Sequence, residues 1–435
     1  MQVHYMKFFS YSMFTLAVFM VSSIALAREV TSLKDAITLG LYTNPEYTTV
    51  THDKNISKET LIQEESSFLP SIDMRAETGW DHTKTPVINT DDLWRNQVSV
   101  TLSQMLFDGF RTESAVNKQR ARITASENRI FEKSELIGLD IIEAYLEVLR
   151  QRDILMIARA NIQDHLYIQE MIKASKSSGI STDGDLAQVT ARVASARANE
   201  ISVRQRLRDA EALFIRKVGN KPGSLSFPYL PRQSILFDVE ETVESALTHN
   251  PTIAAFESDI KAAEADYKGS GSNLYPQVDF ELNGSYGSDL NGVQGDETRA
   301  TALTVMRWNL YKGGADKARQ KEFMYRHAQA KDRRAETARQ IEQDIRQSWS
   351  GMKAAGEQSI QYKEQAKANE RVVSVYIDQF SINRRTLLDV LDSQGELFSS
   401  RSNHINSLYT EALGIYRLLA LQGKLFKTLG INKVL

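Results

Sequence analysis

The feature that most constrains this chain is an internal duplication. The pair Asn44-Pro45 returns as Asn250-Pro251, an offset of 206 residues (250 − 44). Further on, Leu106-Phe107-Asp108-Gly109 corresponds to Leu310-Tyr311-Lys312-Gly313 at an offset of 204 residues (310 − 106). A period of this length is far beyond the roughly 20–50 residues of solenoid repeats. The sequence therefore predicts one half of a fold written twice, and a quasi-symmetric molecule.

Short alternating segments inside each copy predict β-strands. In the first copy Ile72, Met74 and Ala76 share one face, whereas Asp73 and Glu77 share the other. Strands are expected at about 71–81, 96–106, 277–287 and 299–309. Segments of this length with one apolar and one polar face are typical of transmembrane β-barrels, and a soluble, half-buried sheet is the alternative.

The placement of proline predicts long helices after each strand pair. None of the eight prolines lies in 87–221 or in 277–435, and proline interrupts both helices and sheets. Charged segments of about 67 residues follow at 111–177 and 315–381, each a rod of about 100 Å at 1.5 Å per residue. Their heptad spacing of apolar residues favours coiled-coil packing. Returning helices are expected at 184–219 and 386–423.

These elements define the predicted organisation. Residues 1–27 read as a secretory signal peptide, with Lys7 before an apolar stretch and Ala25-Leu26-Ala27 as the cleavage site; a membrane anchor is the alternative. The repeats occupy 28–219 and 238–423, joined by a proline-rich connector at 220–237 and followed by a tail at 424–435. The chain has no cysteine and a net charge of −2, which argue against disulfides and against a nucleic-acid partner.

Four strands per chain imply an oligomer. An open four-stranded sheet cannot lie in lipid, because its edges would leave backbone groups without hydrogen bonds. Two chains would supply eight strands, which side chains fill, whereas three supply twelve and leave a lumen. The predicted fold is therefore an α+β membrane protein: a homotrimeric twelve-stranded β-barrel continued by a long α-helical coiled-coil barrel.

The chain resembles the TolC family of outer-membrane channels. The resemblance rests on the duplicated Asn-Pro pairs, on Leu106-Phe107-Asp108-Gly109 and its counterpart, and on the segment 385–392, Arg-Thr-Leu-Leu-Asp-Val-Leu-Asp. It implies a location in the outer membrane with a helical extension into the periplasm, where a periplasmic adaptor and an inner-membrane ABC or other efflux transporter would bind. Contact with outer-membrane lipid is also implied, but neither a cofactor nor a nucleic acid.

The resemblance also implies a set of residues at a constricted periplasmic end. Asp389 and Asp392 match two aspartates that ring the entrance, and their spacing puts them on one helix face. Arg385 and Asp185 match a pair that latches the entrance shut. The residues expected to contact an adaptor lie at the two helix turns: Gly179, Ile180, Asn383 and Arg384. Asn383 stands where glycine is usual, and asparagine tolerates a left-handed turn.

Two other classes of protein share parts of this pattern. An enzyme is disfavoured, because the seven histidines are scattered and no phosphate loop, G-x-S-x-G motif or cysteine nucleophile is present. A soluble periplasmic coiled-coil adaptor would explain the rods but not the strand pairs. Within the channel class, the leader without cysteine favours type I secretion of unfolded proteins, and efflux of small molecules is the alternative.

Overall fold

The computed structural model describes residues 30–84, 92–234 and 238–431. The predicted leader lies outside these residues, as do 85–91 of the first strand turn and 235–237 of the connector. The elements of the first copy are helices α1 (Leu33–Thr43) and α2 (Pro45–Ser66), strands β1 (Ser71–Asp81) and β2 (Leu93–Phe107), and helices α3 (Arg111–Ser177) and α4 (Asp183–Val218). Those of the second copy are α5 (Val239–His249), α6 (Pro251–Gly269), β3 (Gln277–Ser288), β4 (Asp296–Arg307), α7 (Ala315–Ser381), α8 (Leu387–Leu421) and the short α9 (Leu425–Thr428).

The two long helices have equal length and begin alike. Helices α3 and α7 each contain 67 residues, which at 1.5 Å per residue makes each about 100 Å long. A left-handed residue precedes each of them, Phe110 with φ of 65° and Gly314 with φ of 86°. These two residues are 204 positions apart (314 − 110), so the duplication extends to the backbone geometry of the junction.

The four strands form one antiparallel sheet in the order β1-β2-β3-β4. Strands β2 and β3 pair across the two copies, with Thr101 opposite Asn283 and a side-chain hydrogen bond of 2.7 Å between them. Strands β1 and β4 are the edges. Strand β4 begins three residues earlier than expected, at Asp296. The turn before it is tight, because the Asp289 side chain accepts a hydrogen bond from the backbone N–H of Gly295 at 2.9 Å.

The two faces of the sheet differ in polarity and in exposure. Apolar side chains on one face are exposed in the single chain: Ile72 is 70 % and Met74 is 72 % exposed. A soluble half-buried sheet would have packed this face against a core, so the exposure contradicts that alternative. On the other face Arg307 bonds to both Asp279 and Glu281, each at 2.9 Å.

One strand departs from the polar pattern of that face. The register pairs Glu281 with Leu303, and directly paired residues project from the same side of an antiparallel sheet. Leu303 of β4 therefore projects from the polar face of the sheet, which explains why apolar and polar residues do not alternate regularly along β4.

The apolar core lies midway along the long helices, where the short helices pack on them. Ile141 of α3 and Ile345 of α7, again 204 positions apart, are both completely buried. The connector crosses this core and is tied to it by two buried tyrosines. The hydroxyl of Tyr145 donates to the carbonyl of Ser226 at 2.8 Å, and that of Tyr416 to the carbonyl of Tyr229 at 2.7 Å.

No helix among the described residues has an apolar stretch long enough to cross a bilayer.

Candidate functional site

The predicted site residues lie at the two helix turns, and the structure makes these turns equivalent. Gly179, between α3 and α4, has φ of 76°, and Asn383, between α7 and α8, has φ of 58°. The two positions are 204 apart (383 − 179). Asparagine adopts the left-handed region more readily than most residues, because its short polar side chain makes local hydrogen bonds. A neighbouring residue exposes an apolar side chain at each tip: Ile180, which follows Gly179, is 62 % exposed, and Ile382, which precedes Asn383, is 60 % exposed.

Each returning helix begins with the same capping box. The backbone N–H of Asp185 donates to the hydroxyl of Thr182, and the Asp185 carboxylate accepts from the Thr182 N–H, both about 3 Å long (3.1 and 2.8 Å). Asp389 makes the same pair of bonds with Thr386, at 3.3 and 3.2 Å. These bonds satisfy backbone donors that a helix start otherwise leaves unpaired.

The capping bonds also fix the charge of both aspartates. Hydrogen bonds from the backbone N–H and hydroxyl of Thr182 lower the pKa of Asp185 below its ordinary value. For Asp389 the hydroxyl and the N–H of Thr386 lower the pKa, and the nearby Arg385 adds to the effect. Both carboxylates are therefore ionised at neutral pH, and each is engaged at the start of its own helix.

The predicted latch between Arg385 and Asp185 does not form within the chain. Arg385 instead lies on the ring of Tyr376, with its guanidinium carbon 4.1 Å from the ring centre. It donates to Gln379 at 3.2 Å and lies 3.8 Å from Asp389. The physical reason is that local partners already occupy both groups: Asp185 caps α4, and Arg385 packs on its own hairpin. Between neighbouring subunits the pair stays a prediction.

The structure gives Asp392 a partner that the sequence did not reveal. Arg192 of α4 donates to Asp392 of α8 at 2.8 Å, and their side chains are 45 % and 55 % exposed. The signal was present in the repeat: the position equivalent to Arg192 is Glu396 (192 + 204), and that equivalent to Asp392 is Gln188. At these two positions the first copy, on α4, carries a positive charge, and the second copy, on α8, carries negative charges.

The two aspartates of the predicted acidic ring therefore have different surroundings. Asp389 caps its own helix, whereas Asp392 joins the two helical hairpins through Arg192. A buried apolar cluster lies beside this ion pair and packs the hairpin ends together. It consists of Ile168, Ile172, Val189, Leu387, Val390 and Leu391. Burial of each such side chain stabilises the contact by about 1.5–3 kcal/mol, so apolar packing outweighs one half-exposed ion pair of up to about 1 kcal/mol.

A buried histidine lies close to the same ion pair. His165 of α3 is 5 % exposed, and its Nδ1 atom has no hydrogen-bond partner among the described residues. Burial lowers its pKa, and the positive charge of Arg192 lowers it further. His165 is therefore neutral at pH 7.

These features describe an elongated chain with a four-stranded sheet at one end and two packed, charged helix turns at the other. The family model for outer membrane efflux proteins matches residues 45–220 and 242–421. The chain thus belongs to the outer membrane efflux protein family, and the resemblance to the TolC family is confirmed. It is a channel protein of the outer membrane with a periplasmic helical extension, and not an enzyme.

Individual relatives agree with this assignment. The chain is 24 % identical over 374 residues to the outer membrane efflux protein BepC of Brucella suis biovar 1 (strain 1330), covering 85 % of this chain and 80 % of that protein. It is 22 % identical over 382 residues to the outer membrane protein TolC of Salmonella enteritidis, covering 84 % and 77 %. Among solved structures, the transmembrane channel protein CusC superposes with a TM-score of 0.81 at 14 % identity, covering 90 % and 91 %.

Proposed function

We propose that three copies of this chain close into one duct that carries small molecules out of the cell. The observation that carries the proposal is the four-stranded sheet, which exposes apolar side chains on one face and leaves β1 and β4 as open edges. A sheet in lipid must close on itself. Three sheets supply twelve strands, enough for a lumen.

The helices continue the duct away from the membrane. Helices α3 and α7 leave the sheet at equivalent positions and run about 100 Å. Three copies would place six such rods side by side below the barrel. The hairpin ends, at Gly179, Ile180, Asn383 and Arg384, would then form the far end of the tube, where a periplasmic adaptor and an inner-membrane transporter bind.

The same end would act as the gate. In a trimer, Asp389 and Asp392 contribute six carboxylates around one axis, which favours cations in a narrow passage. The apolar cluster and the bond from Arg192 to Asp392 would hold the two hairpins of each chain together when the entrance is closed. Opening would separate them, at the cost of exposing that cluster.

Two cargoes are compatible with a duct of this kind, and we favour small molecules. Support comes from the family description and from BepC, whose names both contain the word efflux. The absence of cysteine in the chain favours type I protein secretion instead, and the TolC relative has a name that indicates no cargo. Unfolded protein is therefore the second candidate.

The duct itself is tested by recording single channels from detergent-extracted protein in a planar bilayer, with the mass measured in the same preparation. A trimer with small, cation-selective currents is expected. The Asp389→Asn, Asp392→Asn double variant is the matched control and should lose cation selectivity while remaining trimeric. Protein that is soluble without detergent and does not conduct would contradict the proposal.

The cargo is tested in cells of the source organism that lack this chain. Greater sensitivity to dyes and detergents with an unchanged set of secreted proteins is expected for efflux. Loss of a secreted protein with unchanged sensitivity would instead establish protein secretion as the function.

A further inference from the structure

The membrane-proximal helices of each chain form an open row. Helix α2 packs on α3, α3 packs on α6, and α6 packs on α7, in the same order as the four strands. The row ends at α2 and at the first part of α7. Helix α2 has no buried residue, and the first buried residue of α7 is Ile341. Both end helices thus present faces that no other described residue of the chain covers.

The ion pairs that join α3 to α6 follow a charge pattern. Between α3 and α6, Arg129 bonds to Asp259 at 2.5 Å and Lys118 to Asp266 at 2.8 Å. In both pairs the base lies on α3 and the acid on α6. Helices α3 and α7 are equivalent in the repeat, and so are α2 and α6. A basic α7 facing an acidic α2 of another copy would therefore repeat the contact that α3 makes with α6.

The charges of the two uncovered faces fit this pattern. Helix α2 contains five acidic and two basic residues, a net charge of −3 (2 − 5). The first 22 residues of α7, 315–336, contain seven basic and four acidic residues, a net charge of +3 (7 − 4). This stretch of α7 is as long as α2, which contains 22 residues, and the two are complementary in charge.

The duplication identifies a particular pair. The residue equivalent to Arg129 is Arg333 (129 + 204), and the residue equivalent to Asp259 is Asp53 (259 − 206). The charge types are thus kept on both sides. Arg333 and Asp53 are both exposed, and neither forms an ion pair with any other described residue of the chain.

We infer that Arg333 of one copy pairs with Asp53 of the next copy, on a seam between α7 and α2 that recurs three times around the trimer. The inference rests on the trimeric duct proposed above and adds the residues that join its subunits. The seam lies directly below the junction of β4 with β1 of the next copy. We expect it to help set the register in which neighbouring sheets meet.

Cross-linking tests the seam directly, because the natural chain has no cysteine. The variant with Asp53→Cys and Arg333→Cys, treated with a short bismaleimide in membranes, should give covalent dimers and trimers on a denaturing gel. The control with Arg129→Cys and Asp259→Cys should react within one chain and stay at the monomer position. Conducting trimers without cross-linked dimers would overturn the seam but leave the duct intact, whereas protein that neither assembles nor conducts would overturn both.

Charge reversal gives a second readout. Asp53→Arg or Arg333→Asp alone turns three weak attractions into repulsions, and we expect about a tenfold loss of trimer on dilution in mild detergent. The two reversals combined should restore the trimer. Arg339→Asp, which reverses an exposed charge elsewhere on α7, should change the trimer fraction less than Arg333→Asp. Equal losses in these two variants, or no recovery in the combined variant, would contradict the pairing.

Discussion

Thr182 and Thr386 lie 204 positions apart and begin α4 and α8 with the same capping box. In both cases the aspartate three residues later returns the hydrogen bond. The equivalence shows that the duplication has kept the start of each returning helix, where an unpaired backbone would be most costly, although the turns themselves differ in sequence.

Loss of the second cap should loosen the turn beside it. Thr386→Ala removes the hydroxyl that accepts from the Asp389 N–H, and a lost cap of this type costs about 1 kcal/mol. Local opening should then become about fivefold more frequent. The readout is the rate of trypsin cleavage after Arg384 and Arg385, measured by mass spectrometry. Thr386→Ser keeps the hydroxyl and should cleave at the natural rate, and an equal rate for the alanine variant would contradict the role of the cap.

The bond between Arg192 and Asp392 should limit the negative charge at the entrance. Arg192→Gln frees the Asp392 carboxylate, so the ratio of cation to anion permeability should rise in single-channel recordings. Adding Asp392→Asn should abolish that rise. The pair is half exposed, so its coupling energy in a double-mutant cycle should be about 0.5 kcal/mol.

Arg197→Gln is the matched control for that experiment, because it removes the same charge from an exposed position of α4. The interpretation fails if Arg192→Gln and Arg197→Gln change selectivity equally.

The sequence predicted the long helices better than it predicted the contacts at the helix turns. The absence of proline from 87–221 and from 277–435 predicted the rods, because proline interrupts helix interiors, and the spacing of the Asn-Pro pairs predicted the duplication. The start of β4 at Asp296 was not predicted, since it depends on the left-handed residues of the preceding turn. The partner of Asp392 was missed for a different reason: it depends on how α4 and α8 are rotated toward each other, which periodicity along one helix does not specify.

The buried His165 should make the protein less stable in acid. Its pKa is lowered in the folded state, so below the ordinary value of about 6.5 the unfolded chain binds the proton more readily. Its contribution to stability is therefore complete above that value and is lost as the pH falls. His165→Leu should lose less thermal stability than the natural protein between pH 7.5 and pH 5.

The neighbouring Asp164 acts in the opposite sense, because burial raises its pKa and protonation then favours the folded state. It is present in both proteins, so the difference between them isolates His165. Parallel stability curves for the two proteins would show that His165 does not titrate on unfolding.

Phe110 begins α3 in a left-handed conformation, with φ of 65°, where the second copy has Gly314. This conformation costs a residue with a side chain about 1–2 kcal/mol. The Phe110 ring makes edge-on contacts with the rings of Phe107 and Tyr275, whose centres lie 5.4 and 5.9 Å away. Each such contact stabilises the folded protein by about 0.5–1.5 kcal/mol. The strain and the contacts nearly cancel.

Phe110→Gly removes both the strain and the ring contacts, and should leave the thermal midpoint of the trimer nearly unchanged. Phe110→Ala removes the contacts but keeps the strain, so it should be less stable than the glycine variant by about 1 kcal/mol. Equal midpoints for the two variants would show that the strain at this junction is negligible.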